Sequence, residues 1–289
     1  MQASLLTNLL LPLALGIIML GLGLGLSLDD FRRVARYPRA VLIGLALQTL
    51  VLPWVAFGLA LGFGLPAELA VGLMLLAASP GGATANIYSH LARGDVALNI
   101  TLTAINSLLC LLTLPVILNL SLEYFLGAGQ YVPPPTKKVV EVAAIILLPV
   151  AIGMLLRAKA PGFAARAEKP IRLLSVLVLA LLVVAAVAQS WDTLATYFAI
   201  VGLACLLFNL VSMGVGYVAP LALRLPKKQA IAIAMEIGIH NGTLAIFIAL
   251  NVLEKPTISV PAAVYSLLMF VTAAVFAGWV SRGAREANA

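Results

Sequence analysis

Long apolar runs alternate with short polar connections along this chain. Runs of about 20 apolar residues, the length that crosses a bilayer as a helix, lie near 4–26, 40–63, 68–92, 96–121, 138–157, 172–190, 194–221, 229–253 and 258–281. The pattern predicts an all-α integral membrane protein of about nine transmembrane helices. Two runs are interrupted by polar, helix-unfriendly residues. The first carries Ser79-Pro80-Gly81-Gly82-Ala83-Thr84-Ala85-Asn86, the second Ile239-His240-Asn241-Gly242-Thr243-Leu244-Ala245. Proline at position 80 removes a backbone donor, and its ring disfavours an uninterrupted helix. Lipid cannot satisfy the backbone groups such a break exposes, so the break must line a cavity or a ligand site.

The two breaks stand in register. A shift of 160 superposes Leu65-Pro66 on Leu225-Pro226, Ala70 on Ala230, Gly82 on Gly242 and Ala85 on Ala245. Leu and Val matches are cheap in so apolar a chain, and the Leu-Pro and Gly matches carry most of the weight. A linker at 127–136 separates a first repeat of four spans, 1–126, from a second of five, 137–282. The interrupted helix is second from the end in each, so the first repeat lacks its opening helix. Units of five spans run oppositely through the bilayer, which gives an inverted repeat with two discontinuous helices. Paired interrupted spans of this kind point to the binding site of a secondary transporter.

Composition sharpens the picture. Hydrophobic residues make up 63% of the chain and charged residues 10%, with a mean hydropathy of +1.10; a soluble domain carries roughly 25% charged residues. A net charge of +7 would suit a nucleic-acid partner, but its distribution excludes one. Arg32, Arg33, Arg36, Arg39, Arg93, Arg157, Lys159, Arg166, Lys169, Arg172, Arg224, Lys227, Lys228, Arg282 and Arg285 fall in alternate connections, and Lys137, Lys138 and Lys255 in the opposite set. The positive-inside rule puts the first set in the cytoplasm. The expected protein is therefore a multi-pass protein of the inner (plasma) membrane, N-terminus outside and C-terminus cytoplasmic. Residues 1–26 lack a basic start and a small-residue cleavage site, and read as a retained helix. Cys110 and Cys205 lie within apolar spans and read as small buried residues. The chain has no H-E-x-x-H or G-x-S-x-G pattern, so no enzyme is expected.

Glu236 is the most telling residue, seven positions into the eighth span. A mid-membrane acid costs roughly 2.5–3.5 kcal/mol on translocon scales, and no span carries a basic residue in its middle. Its counter-charge is then a bound cation or a proton. Asn86 follows the first break; Asn99, Thr103 and Asn106 share one face of the fourth span; Gln48 lies mid-span in the second. Alone, such residues serve as interhelical glue. Beside an unpaired acid and two unwound segments they build an oxygen cage of the kind hard cations favour, to which the carbonyls of Ile237 and Ile239 add. The half-helix N-termini near Ala83 and Thr84, and near Asn241, Gly242 and Thr243, favour an anionic substrate. His240 is open among a cation neighbour, a proton acceptor, a substrate donor and a structural hydrogen bond. His90 reads as interfacial, and Asp29, Asp30 and Arg93-Gly94-Asp95 as cytoplasmic loop.

These segments resemble the bile acid:sodium symporter family: Leu15-Gly-Ile-Ile-Met-Leu-Gly-Leu-Gly-Leu, Pro80-Gly-Gly-Ala-Thr-Ala-Asn, Leu91-Ala-Arg-Gly-Asp-Val-Ala-Leu and Glu236-Ile-Gly-Ile-His-Asn-Gly. The resemblance runs over essentially the whole chain. It implies a core domain, expected from 68–121 and 229–281, in which the interrupted helices cross, and a panel, expected from 4–63 and 138–221. It also implies two sodium sites, one of Asn86, Asn99, Thr103 and Glu236, the other of Gln48, Glu236, His240 and the carbonyls of Ile237 and Ile239. Ala85 and Asn99 stand where the family usually has serine, and His240 where it usually has glutamine. The implied function is Na⁺-coupled symport of an organic anion, a small carboxylate or a bile-acid-like molecule, by alternating access. A sodium/proton antiporter and a proton-coupled organic anion transporter are the alternatives. The expected partners are the anion, sodium ions and the bilayer, with no obligate protein partner.

Overall fold

A computed structural model describes residues 11–82, 84–127, 136–189 and 191–286. Twelve helical segments follow one another: α1 Leu11–Gly25, α2 Leu28–Arg32, α3 Pro38–Gly62, α4 Ala67–Ala78, α5 Ala85–Leu91, α6 Val96–Leu126, α7 Thr136–Lys159, α8 Pro161–Gln189, α9 Trp191–Ala222, α10 Lys227–Gly238, α11 Gly242–Val252 and α12 Pro256–Glu286. Among the described residues four stretches are long and apolar enough to cross a membrane: Pro38–Gly62, Val96–Leu126, Phe198–Ala222 and Pro256–Ser281. Pro12–Gly25 joins them if the short helix after its 71° bend counts as the same span. Both interrupted runs are broken as the sequence predicts, between α4 and α5 and between α10 and α11.

Local chemistry repeats at the offset of 160. Helices α4 and α10 have 12 residues each, and both start on a proline in the extended region, Pro66 with φ −50° and ψ 143° and Pro226 with φ −58° and ψ 143°. A proline there lacks an N–H and stops the preceding helix. The turns before them match as well. Gly64 has φ +57° and Arg224 φ +59°. Leu65 N–H donates to Ala60 O at 3.0 Å, as Leu225 N–H does to Pro220 O at 2.8 Å.

Packing sorts the helices into two groups. Helices α1, α7 and α8 pack chiefly on one another, with Gly23 and Gly153 at a crossing so close that a Cβ on either would strike the opposite backbone. Helix α3 instead packs against α4 and α6, and α9 against α10 and α12. Both α3 and α9, which fall in the stretches expected as panel, thus lie against the broken helices. Two glycines explain the close approach: a Cβ on Gly44 would meet Leu102, and one on Gly216 would meet the Ala234 backbone and Ile237. Asp29 and Asp30, expected in a loop, open α2. Asp30 is buried and accepts from Ser27 N–H at 2.7 Å and Arg33 Nη1 at 2.6 Å.

Candidate cation and substrate site

The two breaks are hydrogen-bonded to each other through the backbone. Gly81 and His240 form an isolated antiparallel bridge. Gly82 N–H donates to Ile239 O at 2.6 Å, and Asn241 N–H donates to Pro80 O at 2.8 Å. Unwound backbone that would otherwise be unsatisfied at membrane depth is thus partly paired across the crossing. Asn241 N–H, four residues after Ile237, is drawn to Pro80 rather than back to the Ile237 carbonyl, which ends α10 there. The Ile239 carbonyl, expected to be open, receives Gly82 N–H.

Glu236 lies one residue before the C-terminal Ile237-Gly238 of α10, with 1% of its surface exposed. Its Oε2 accepts from Thr103 Oγ1 at 2.6 Å. Asn99, one turn earlier on α6, donates its amide to Ala232 O at 2.8 Å, one turn before Glu236 on α10. The structure therefore brings Asn99, Thr103 and Glu236 onto one seam. Among the described residues no lysine or arginine pairs with this acid.

Gln48 and His240 converge on a single carbonyl. Gln48 Nε2 donates to Ser79 O at 3.0 Å and to Ala77 O at 3.3 Å, and His240 Nδ1 lies 3.2 Å from Ser79 O. A carbonyl only accepts, so the hydrogen sits on Nδ1 and Nε2 presents its lone pair. The ring stacks on Phe208 at 5.5 Å and meets Tyr265 edge-on at 5.4 Å. The result is a set of buried atoms that are acceptors without a donor: Gln48 Oε1, Asn86 Oδ1, Asn99 Oδ1, Glu236 Oε1 and His240 Nε2. Buried polar groups are nearly always paired, and a buried carboxylate oxygen and four further orphan acceptors on the two breaks and their neighbouring helices suit a small cation.

A cavity of about 320 Å³ lies beside this cluster. Thr84, Asn86, His240, Asn241, Gly242 and Thr243 are its polar lining, and Ile18, Met19 and Leu22 of α1, with Leu26 just beyond it, are among its apolar lining. Thr84 stands at the N-cap position of α5 without a side-chain cap bond, and the Asn241 side chain accepts from Leu244 N–H at 3.1 Å to cap α11. Of the expected substrate residues these line one space; Ala83 lies outside the described residues. His90 and Glu168 also line the cavity.

Sequence reasoning missed a second polar clamp. Asn209 Nδ2 donates to Gly238 O at 2.8 Å, and Tyr265 Oη donates to the same oxygen at 2.8 Å. In each half an amide on the preceding long helix holds carbonyls at the end of the broken helix, Gln48 for α4 and Asn209 for α10. The signal was an amide side chain 29 positions before a carbonyl it holds in both cases, Ala77 for Gln48 and Gly238 for Asn209.

Residues 12–197 match the Sodium Bile acid symporter family. The chain is 30% identical over 276 residues to the Bacillus subtilis protein named "Uncharacterized sodium-dependent transporter YocS", covering 95% of this chain and 84% of that one. It is 28% identical over 276 residues to the Oryza sativa protein named "Probable sodium/metabolite cotransporter BASS2, chloroplastic", covering 95% and 64%. Against the P3 protein of Mus musculus it is 31% identical over 225 residues, covering 78% and 47%. It thus spans less than two thirds of the rice and mouse proteins. A broken-helix crossing, a buried acid ringed by orphan acceptors and a family match over most of its length lead to one conclusion: the chain belongs to the sodium bile acid symporter family.

Proposed function

We propose that the protein is a secondary active transporter that moves a small organic carboxylate together with Na⁺ by alternating access. One observation carries the reading: the orphan acceptors Asn86 Oδ1, Asn99 Oδ1 and Glu236 Oε1 are buried around a carboxylate that has no basic partner among the described residues. An ionised acid without a counter-charge is costly in this setting, and one monovalent ion removes the cost. Amide, hydroxyl and carboxylate oxygens are the ligands a hard cation takes. In this reading Asn86, Asn99, Thr103 and Glu236 hold one sodium. Gln48, Glu236, His240 and the carbonyls of Ile237 and Ile239 hold a second, with His240 contributing a nitrogen.

The adjoining cavity takes the anion. Its volume is near the lower end of the roughly 300–1,000 Å³ range of small-molecule pockets, which favours a compact acid. Thr84, Asn241, Gly242 and Thr243 supply polar contacts at the starts of α5 and α11, where helix dipoles favour negative charge. Asn86 belongs to both sets, lining the cavity while its Oδ1 is buried without a partner. Ion and substrate thus share a residue, which ties their occupancies together.

The matching turns, caps and helix lengths at an offset of 160 support an inverted repeat of nine spans, lacking one opening helix. Packing supports α1, α7 and α8 as the panel, against which the broken helices and their neighbours α3, α6, α9 and α12 move as the core. The Arg-rich connections support an N-terminus outside and a C-terminus in the cytoplasm.

A thermal-shift screen of organic acids, in Na⁺ and then in K⁺ or choline, tests the function. A ligand that binds the folded state raises its apparent stability. The expected result is stabilisation by one class of small carboxylates only when Na⁺ is present, and Na⁺-dependent uptake of that acid into proteoliposomes. Equal stabilisation in choline would overturn sodium coupling. A Na⁺ gradient that moves protons with no organic acid present would make the protein an antiporter instead.

A further inference from the structure

We propose that Gly81 is a positioning residue for the sodium site, the space left by its missing side chain being the seat of the Glu236 carboxylate. The proposal rests on the cation reading of Glu236 and adds a residue to it from the opposite break. A Cβ built on Gly81 would overlap Cδ, Oε1 and Oε2 of Glu236, which together make up the carboxylate. Backbone conformation does not demand glycine here, because Gly81 is not among the residues with positive φ. Space does.

Neither side has room to yield. The carboxylate is buried and held by Thr103 at 2.6 Å. Gly81 is fixed by its bridge to His240, and its neighbours Pro80 and Gly82 are bonded to Asn241 and Ile239 at 2.8 and 2.6 Å. A methyl group at position 81 must therefore push the acid off Thr103 or open the bridge between the breaks. Gly82 differs. A Cβ there would stand 3.1 Å from His240 O and 3.5 Å from Ile239 Cγ2, clear of the acid, and Gly82 lines the substrate cavity. Adjacent glycines thus divide the work, Gly81 facing the ion's acid and Gly82 the substrate. Because the acid of the second break rests on the first, filling the ion site acts on both breaks at once.

The test uses the full chain in detergent and follows the Na⁺ concentration that gives half-maximal thermal stabilisation, with K⁺ holding ionic strength constant and no organic acid present. Wild type and Gly58→Ala, a helix glycine with open space where the added methyl would go, are expected to respond over the same Na⁺ range. Gly81→Ala should require about tenfold more Na⁺ or more, the scale of losing a hydrogen bond to a charged group, while keeping a cooperative transition in K⁺. Gly81→Ala/Glu236→Asp should recover part of the response, because the shorter acid withdraws from the added methyl. An unchanged Na⁺ midpoint in Gly81→Ala overturns the seat, and so does a double variant that recovers nothing. If Gly81→Ala does not fold, the double variant decides: a folded, Na⁺-responsive protein supports the seat, and an unfolded one overturns it. Absence of any Na⁺ response in the wild type would instead refute the cation reading, and the proposal with it.

Discussion

In the proposed sodium site, Thr103 is placed to decide how tightly Glu236 would hold an ion. Its hydroxyl lies 2.6 Å from Glu236 Oε2 and 3.0 Å from Asn99 O, so its single hydrogen can be spent on the acid or on its own helix. Hydrogen bonds to charged groups are worth about 1.5–3 kcal/mol. Thr103→Val, which keeps shape and loses the hydroxyl, is expected to weaken Na⁺ binding by about 10- to 100-fold, read as the Na⁺ midpoint of thermal stabilisation. Glu236→Gln should behave differently. The amide keeps the geometry and removes the charge, so the Na⁺ shift should vanish while stability in K⁺ holds or rises, since a buried unpaired charge is gone. The polar residue types at this site were legible because an acid or amide inside an apolar run carries an evident cost. Their orientation was not. Ser79 reads as a hydroxyl in a break, yet its hydroxyl returns to Leu75 O at 2.9 Å and its carbonyl is what aims Gln48 and His240. Asn209 and Tyr265 went unnoticed because nothing in sequence reveals that both reach Gly238 O.

At the scale of elements, the turn that launches each broken helix is the same turn with different residues. Gly64 and Arg224 both sit in the left-handed region, at φ +57° and +59°. That region costs a residue with a Cβ about 1–2 kcal/mol, and glycine offsets part of the difference by its larger unfolded-state entropy. Gly64→Ala is expected to destabilise by about 1 kcal/mol, and Arg224→Gly to stabilise by a similar amount. Thermal unfolding of the two variants in the same detergent checks the opposite signs; equal signs would show that the turns are not equivalent. The positions of the breaks, and the proline starts of α4 and α10, were readable because Pro and Gly act locally. Which helices lie against which was not readable: the neighbours of α3 and α9 are set by Gly44 and Gly216 and by the reach of Gln48 and Asn209, which are contacts between segments far apart in sequence.

For the whole molecule, the arrangement of charges sets what the membrane potential can do. In the proposed reading two ion sites share Glu236, one with Asn86, Asn99 and Thr103 and one with Gln48 and His240, beside the cavity that takes the anion. Two sodium ions travelling with a monovalent anion carry one net positive charge inward. One charge moved through 100 mV is worth about 2.3 kcal/mol, a factor of about 50 in the accumulation that can be sustained. In proteoliposomes held at a fixed Na⁺ gradient, with the voltage set by a K⁺ diffusion potential, steady-state accumulation of a monovalent acid is expected to climb as the interior becomes negative. The ceiling is about 50-fold per 100 mV. Gln48→Leu removes an oxygen of the second cluster and the bonds to Ala77 and Ser79, and should make accumulation insensitive to voltage if transport persists. Accumulation that ignores voltage in the wild type would leave one sodium per anion, held by the Asn99–Thr103–Glu236 seam. The nitrogen of His240 would then mark the place where the second ion is not carried.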